Sequence, residues 1–166
     1  MVFSIALAGG LGMATPEGAQ MKIDTPAFHE GKVIPKKYTC QGVDLSPPLF
    51  FHHAPKETVS FALIVDDPDA PKGVFVHWVA WNIPGNTTSL PEGAQLSHQG
   101  TNDFGEMGYR GPCPPKGKPH RYFFKLYALD VNLSLPEGIS KKNLEKAIEG
   151  HVLAQAELIG TFQREK

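Results

Sequence analysis

The chain contains little cysteine. Of its 166 residues two are cysteines, Cys40 and Cys113, and neither belongs to a CxxC pair. A structural zinc site with cysteine ligands is therefore not expected. Two cysteines could form one disulfide bond, but their number alone does not show it, and we interpret them as two small, partly buried thiols.

The chain also lacks an excess of one charge. Lysine and arginine together number 16 and aspartate and glutamate 17, which gives a formal net charge of −1, and no run of like charge exceeds a pair. This balance gives no reason to expect nucleic acid or an anionic membrane surface as a partner. An anion would have to be selected by a local site, because the overall field is nearly neutral.

A long hydrophobic run is missing as well. Residues 1–14 are apolar and glycine-rich, but a helix needs about 20 residues to span a bilayer, and no lysine or arginine precedes Lys22 as a secretion signal requires. We predict that residues 1–20 are an N-terminal extension, either a degenerate signal or leader or a disordered arm, with Met21 as an alternative start. One domain is then expected over residues 21–166. The compartment is left open between cytoplasm and periplasm or secretion, with the cytoplasm favoured.

Proline and glycine, by contrast, are abundant, with 15 and 17 residues, and they predict many turns and irregular segments. Apolar and β-branched runs between them predict about six strands, among them residues 21–28, 59–65, 74–83, 120–129 and 156–162. Apolar residues at helical spacing from Ser140 to Gln155, with Ser140 as N-cap, predict the one helix. The stretches between these elements predict long loops at residues 34–49 and 95–118. This pattern indicates a mostly β domain, either a Greek-key sandwich or a partly open barrel.

Two short segments each combine a rigid, proline-rich turn with a histidine at a predicted strand. Asp67–Pro71 precedes His77, and Gly111–Pro115 precedes His120. Because proline fixes its own φ and restricts the residue before it, such turns can hold a small site. Two histidines and an acid could form a catalytic centre, a metal site or an anion pocket, and the residues alone leave all three open.

Alternation of side chains along a strand predicts which residues share a face. In the first of the two strands His77 falls on the face of Val79 and Trp81, and in the later strand His120 falls on the face of Tyr122. If the two strands are neighbours in one sheet, both histidines open into the same hollow. For either histidine alone, a half-buried structural side chain is the simpler interpretation.

The neighbouring charged residues are given separate roles. Asp67 ends a buried strand and precedes a proline, where it can orient a histidine and hold its tautomer or charge. Asp69 is expected to cap the turn through its own backbone. Arg121 is turned away from His120 and Tyr122 by alternation, and we interpret it as structural.

Together these segments resemble the two signature regions of the phosphatidylethanolamine-binding protein family, which includes the Raf kinase inhibitor proteins. The matching residues are Asp67-Pro68-Asp69-Ala70-Pro71 with His77-Trp78, and Gly111-Pro112-Cys113-Pro114-Pro115 with His120-Arg121-Tyr122. The resemblance extends from about residue 21 to residue 162 and is to the shorter bacterial and archaeal branch. It implies a Greek-key β-sandwich with a large central antiparallel sheet, a smaller sheet and one or two helices, and a small anion pocket at one end.

Carried over residue by residue, the resemblance implies a pocket for phosphate, a phosphorylated head group of the phosphatidylethanolamine type, or a carboxylate. The ligand-binding residues would be Asp67, His77, Gly111, Pro112, Cys113, Pro114, Pro115, His120 and Tyr122. Imidazole N–H groups, the tyrosine hydroxyl and backbone amides would donate to the anion, in strong charge-assisted hydrogen bonds. If a protonated imidazole contributes near its ordinary pKa of about 6.5, binding weakens above about pH 7.

The function favoured by these observations is that of a soluble binding protein for such an anion, with a possible regulatory role and without a cofactor or a catalytic residue. A serine-protease inhibitor acting through residues 95–108, as in some relatives, is the alternative. The third is a low-activity hydrolase, either a phosphohydrolase or an enzyme that depends on Cys113. A metal site is disfavoured because the histidines show no HxH or HxxxH spacing. The expected partner is phosphate or a phosphorylated small molecule, without nucleic acid or stable membrane insertion. A protease or other protein partner and a homodimer remain open, and the kinase regulation of animal relatives is not carried over.

Overall fold

The computed structural model describes residues 19–166, which contain seven strands and one α-helix. The strands are β1 Lys22–Asp24, β2 Leu49–His52, β3 Ser60–Asp67, β4 Phe75–Pro84, β5 Ser89–Leu90, β6 His120–Leu129 and β7 Val152–Phe162. The helix, α1, is Lys141–Ile148, and a single 3-10 turn spans Lys36–Tyr38. No helix among the described residues is long and apolar enough to cross a bilayer. The predictions for residues 1–18 lie outside the described residues, and the domain boundary after residue 20 stays a prediction.

The strands form two antiparallel sheets packed on one another. β1, β2 and β5 form the small sheet, and the large sheet has the order β4-β3-β6-β7. The central strand β3 is an apolar run buried along its whole length, as expected for a strand that is covered on both faces. Phe61 and Leu63 pack towards the small sheet, whereas Ala62 and Ile64 pack under α1. The predicted β-sandwich with a larger and a smaller sheet is confirmed, and the alternative of a partly open barrel is wrong.

A bulge in β4 displaces His77 from the regular register of the large sheet. β3 and β4 pair Val65 with Trp78 and then Asp66 with Val76, which leaves His77 as an extra residue between the two pairs. A second register shift occurs further along the same pair of strands. A bulge re-aims the side chains around it, so regular alternation does not hold along β4.

The register shifts change which residues of β4 share a face. Trp78 packs into the core between the sheets, whereas Val79 and Trp81 pack into the core under α1. The His77 ring contacts the ring of Tyr122, with centroids 5.3 Å apart, and Tyr122 belongs to the core between the sheets. The predicted common face of His77, Val79 and Trp81 is therefore wrong, because the prediction counted residues through a bulge.

The helix begins where the sequence predicts and ends earlier. The Ser140 hydroxyl accepts a hydrogen bond from the Asn143 amide at 3.2 Å, which confirms Ser140 as the N-cap. The predicted end at Gln155 is wrong, because Gly150 adopts a φ of +78° and the chain turns back there. The residues from Val152 onward instead form the first part of β7, paired with the end of β6.

Cys40 and Cys113 form a disulfide bond, with Cα atoms 5.4 Å apart. Their interpretation as two free thiols is wrong. The two residues meet because the loop after the 3-10 turn packs against the second proline-rich turn, where the Cys40 amide donates to the Pro112 carbonyl at 3.1 Å. The bond therefore joins two of the long loops that lie outside the sheets.

Candidate functional site

A cavity of about 610 Å³ lies at the end of the large sheet where β3 ends and β4 and β6 begin. β3 contributes Asp67, β4 contributes Phe75 and His77, and β6 contributes His120 and Tyr122. β4 and β6 are not neighbours, because β3 lies between them, yet the two histidines line the same cavity. His120 and Tyr122 are both buried on one face of β6, as alternation predicts for a regular strand.

Two loops close the remaining sides of the cavity. The β3–β4 loop contributes residues 70–74, and the long loop contributes residues 113–115 together with Asp103 and Phe104. Sequence reasoning did not single out Asp103 or Phe104. The sequence signal that could have pointed to them is Asn102, because asparagine often forms turns inside loops. In the structure its side-chain oxygen accepts from the Phe104 amide at 3.0 Å in an Asx-type turn.

Two residues of the predicted ligand-binding set do not line the cavity. Gly111 is buried, and its amide donates to the Asp44 carboxylate at 2.7 Å. Pro112 is buried, and its carbonyl accepts from the Cys40 amide. Both residues face the loop that follows the 3-10 turn, so they hold the cavity wall in place and leave the lining to Cys113 and the prolines after it.

The Asp67 carboxylate holds His120 in a fixed orientation. One oxygen of Asp67 accepts a hydrogen bond from His120 Nδ1 at 2.7 Å, and both side chains are buried. The other oxygen accepts from the Asp69 amide at 2.8 Å. Asp67 therefore caps the turn, a role that was predicted for Asp69. Because His120 Nδ1 donates its proton in this hydrogen bond, Nε2 is the ring nitrogen that can face the cavity.

His77 is fixed by a different partner. Its Nδ1 lies 2.7 Å from the backbone carbonyl oxygen of Arg110. Because a carbonyl only accepts, Nδ1 carries the proton. Burial lowers the pKa of His77 below its ordinary value, so the ring is neutral near pH 7 and Nε2 carries a lone pair. The prediction that every imidazole in the pocket donates an N–H to an anion does not fit this geometry.

The hydroxyl of Tyr122 is buried without a partner. The residue is 1% exposed, and among the described residues no group hydrogen-bonds to its oxygen. Burial raises the pKa of Tyr122 above its ordinary value, so the hydroxyl keeps its proton. An unpaired hydroxyl in a cavity wall is a donor without an acceptor, which a bound ligand or water would supply.

Around these polar groups the cavity has a mixed rim. Val74 and Phe104 are 52% and 38% exposed and form an apolar part of the lining. Lys72 and Asp103 also line the cavity, and the Asp103 carboxylate is held by the Val76 amide at 2.7 Å. A ligand with a charged end and an apolar end would therefore meet both kinds of surface.

The structure bears on the thiol and metal chemistry considered for this site. Cys113 reaches the cavity as half of a disulfide, so it presents no thiolate. Within residues 19–166 no group of three or more histidine, cysteine, aspartate or glutamate side chains is arranged to hold a metal ion. The lining does offer ring nitrogens, a phenol hydroxyl and a lysine, which suit an oxyanion.

Arg121 points away from the cavity and binds Asp69. Its guanidinium makes two hydrogen bonds of 2.9 Å to the two carboxylate oxygens, and its backbone amide makes a third. This contact fastens the first proline-rich turn to the start of β6. The structural role predicted for Arg121 fits this contact.

We expect the pKa of Asp69, followed by NMR, to lie at about 2 instead of 3.8, mainly because of the hydrogen bond from Arg121. Since the folded pKa is depressed, the contact stabilises the fold above about pH 4, and its contribution is lost as the pH falls towards 2. Arg121→Gln should return the pKa of Asp69 towards 3.8. An unchanged pKa in that variant would show that Arg121 is not the cause.

Fold and site together define a β-sandwich protein with a cavity of mixed polar and apolar lining at one end of its larger sheet. A family model described as phosphatidylethanolamine-binding protein matches residues 24–163, and the chain belongs to this family. The resemblance inferred from the two signature segments is thereby confirmed.

Relatives of known sequence and structure support the same assignment. The chain is 52% identical over 151 residues to a UPF0098 protein of Methanothermobacter thermautotrophicus, covering 87% of this chain and 99% of the relative. It is 47% identical over 167 residues to a UPF0098 protein of Pyrococcus horikoshii, covering 93% and 84%.

Two crystal structures have the same fold. A phosphatidylethanolamine-binding protein homologue from Chlamydia trachomatis has a TM-score of 0.84 and 47% identity, covering 88% of this chain and 99% of that one. YbcL from E. coli, described as a member of the mammalian PEBP family, has a TM-score of 0.82 and 31% identity, covering 89% and 100%. The bacterial and archaeal sources agree with the branch that the sequence indicates.

Proposed function

We propose that the cavity binds a small oxyanion, either phosphate, a phosphorylated head group or a carboxylate, and that the protein works by binding and not by catalysis. The observation that carries this proposal is the buried Tyr122 hydroxyl, which lacks a partner and lies beside two histidines of fixed orientation. An oxyanion in the cavity would accept from this hydroxyl and remove the cost of leaving it unpaired.

His120 supplies the charged donor in this proposal. The Asp67 carboxylate compensates the positive charge that the His120 ring carries when both nitrogens are protonated. In that form Nε2 donates to the anion in a charge-assisted hydrogen bond. Lys72 at the rim adds a positive charge on the path of an entering anion.

The other two functions considered from the sequence have less support. Residues 95–108, the proposed protease-inhibiting loop, are bound to β4 through Asp103, whose amide donates to the Val76 carbonyl at 2.9 Å. Nothing in this segment favours insertion into a protease, and inhibition stays a prediction. An activity that depends on Cys113 would need a free thiolate, which the disulfide removes. A phosphohydrolase that does not use Cys113 stays a prediction.

Titration calorimetry with inorganic phosphate, phosphoethanolamine and acetate tests the proposal. We expect at least one of these anions to bind at millimolar concentration or below, and His120→Ala to weaken that binding roughly 10- to 100-fold, the usual value of a hydrogen bond to a charged group. The three ligands separate the sources of the anion, because phosphoethanolamine contains the head group and acetate contains only a carboxylate.

A matched control is available outside the cavity. His151 also binds an aspartate, with Nδ1 2.9 Å from Asp130, but this pair is exposed and does not line the cavity. His151→Ala should leave anion binding unchanged. If no anion binds at millimolar concentration, or if both histidine variants bind like the wild type, the proposal is wrong.

A further inference from the structure

We propose that His77 accepts a hydrogen bond from the bound anion, so that the cavity selects phosphate species that still carry a proton over sulfate, which carries none. These species are inorganic phosphate near neutral pH and phosphate monoesters below about pH 6. This inference rests on the proposed function, because it assumes that the cavity binds an oxyanion. It assigns opposite roles to the two histidines, with His120 donating and His77 accepting.

The proton of the His77 ring lies on Nδ1, where it takes part in a hydrogen bond to the backbone and does not face the cavity. Nδ1 donates to the Arg110 carbonyl at 2.7 Å, and the Arg110 amide donates to the His77 carbonyl at 3.1 Å, so ring and backbone are held by the same residue. His77 is the extra residue of the bulge in β4, and Arg110 belongs to the long loop. Nε2 is the remaining ring nitrogen, and no described residue hydrogen-bonds to it.

The surroundings of His77 oppose a second proton. The side chain is 2% exposed, and its ring contacts the rings of Phe75, Phe104 and Tyr122 at centroid distances of 5.2, 5.5 and 5.3 Å. A charged imidazolium in this place would lose its water without gaining a direct carboxylate partner.

Three acidic groups act on His77 from a distance. They are Asp67 at the end of β3, Asp44 in the loop after the 3-10 turn, and Asp103 in the long loop. Each of them favours the protonated ring, but the loss of water on burial outweighs all three, so the pKa stays below its ordinary value. His77 has no carboxylate in direct contact, whereas His120 Nδ1 contacts the carboxylate of Asp67.

A neutral ring with a lone pair on Nε2 distinguishes anions by their protons. Near neutral pH inorganic phosphate still carries at least one proton, and a phosphate monoester carries one below its second pKa of about 6. The P–O–H group can donate to Nε2 while the other oxygens accept from His120 and Tyr122. Sulfate has the same shape but no proton. One of its anionic oxygens would therefore face the lone pair of Nε2, and the two would repel each other.

Titration calorimetry with phosphate and sulfate at one neutral pH and equal ionic strength tests this inference. We expect phosphate to bind at least roughly tenfold more tightly, since leaving a buried polar group unpaired usually costs that much or more. For a phosphate monoester, affinity should fall as the pH rises through about 6, where its proton is lost.

His77→Asn provides the matched variant. The asparagine amide can keep the hydrogen bond to the Arg110 carbonyl but has no group at the position of Nε2. We expect this variant to bind phosphate and sulfate with similar affinity, whereas His120→Ala should weaken both and keep the preference for phosphate.

A nitrogen-15 NMR measurement on the wild-type protein tests the same inference and does not depend on whether a variant folds. Nε2 of His77 should show the chemical shift of an unprotonated ring nitrogen, with Nδ1 protonated, in both the free and the phosphate-bound protein. Equal binding of the two anions, or a protonated Nε2 in the phosphate complex, would overturn the inference while the proposed function stands. If neither anion binds, the proposed function fails and this inference fails with it.

Discussion

Replacing Cys40 and Cys113 together by serine is expected to lower the free energy of unfolding by about 4 kcal/mol relative to the oxidised protein. The disulfide joins residues that are 73 apart in the sequence. Closing a loop of that length in the unfolded chain removes a large part of its conformational entropy, and the loss of the bond returns it. Denaturant unfolding followed by circular dichroism measures the difference as a lower midpoint for the variant.

The wild-type protein in a reducing buffer serves as the control for this variant. Reductant should shift the unfolding midpoint of the wild type down to that of the double serine variant and should leave the variant itself unchanged. The contribution assigned to the disulfide would be refuted by equal midpoints for the oxidised and reduced wild type.

The strands that carry the site could be predicted from the sequence because each has a strong local pattern. β3 contains an uninterrupted apolar run from Phe61 to Val65, and two aspartates follow it. β6 begins at His120, directly after a proline. Such runs bounded by turn residues are typical of buried strands. β2 and β5 were not predicted because they are only four and two residues long. They are strands because they pair with each other in the small sheet, and their composition does not indicate it.

The parts of the site that could not be predicted depend on contacts between distant segments. A bulge is a property of two paired strands, so counting residues along β4 alone could not place His77 beside Tyr122. The same limit applies to the disulfide, because only the packing of two loops brings Cys40 to Cys113. The role of His77 as an acceptor also required the structure, since it follows from the carbonyl of Arg110 at its Nδ1.

Gly111→Ala is expected to destabilise the protein by about 3 kcal/mol or more, as overpacking against atoms that cannot move does. A β-carbon at this position would overlap the carbonyl oxygen of Tyr38 and would lie 2.6 Å from the Asp44 carboxylate and 2.9 Å from Thr39 Cα. Two of these three neighbours are backbone atoms. To make room, the second proline-rich turn would have to move away from the loop after the 3-10 turn, against the hydrogen bond between the Gly111 amide and Asp44.

Gly31→Ala is the matched control, because it separates lack of space from backbone strain. Gly31 has a φ of +73° and would meet no atom within 4 Å, so the change should cost only about 1–2 kcal/mol of strain. Denaturant unfolding should therefore rank the two variants, and phosphate titration should show weaker binding for Gly111→Ala alone, because residues 113–115 of the same turn line the cavity. If Gly111→Ala unfolds at the denaturant concentration of Gly31→Ala and binds phosphate like the wild type, the close packing of these two loops does not maintain the cavity wall.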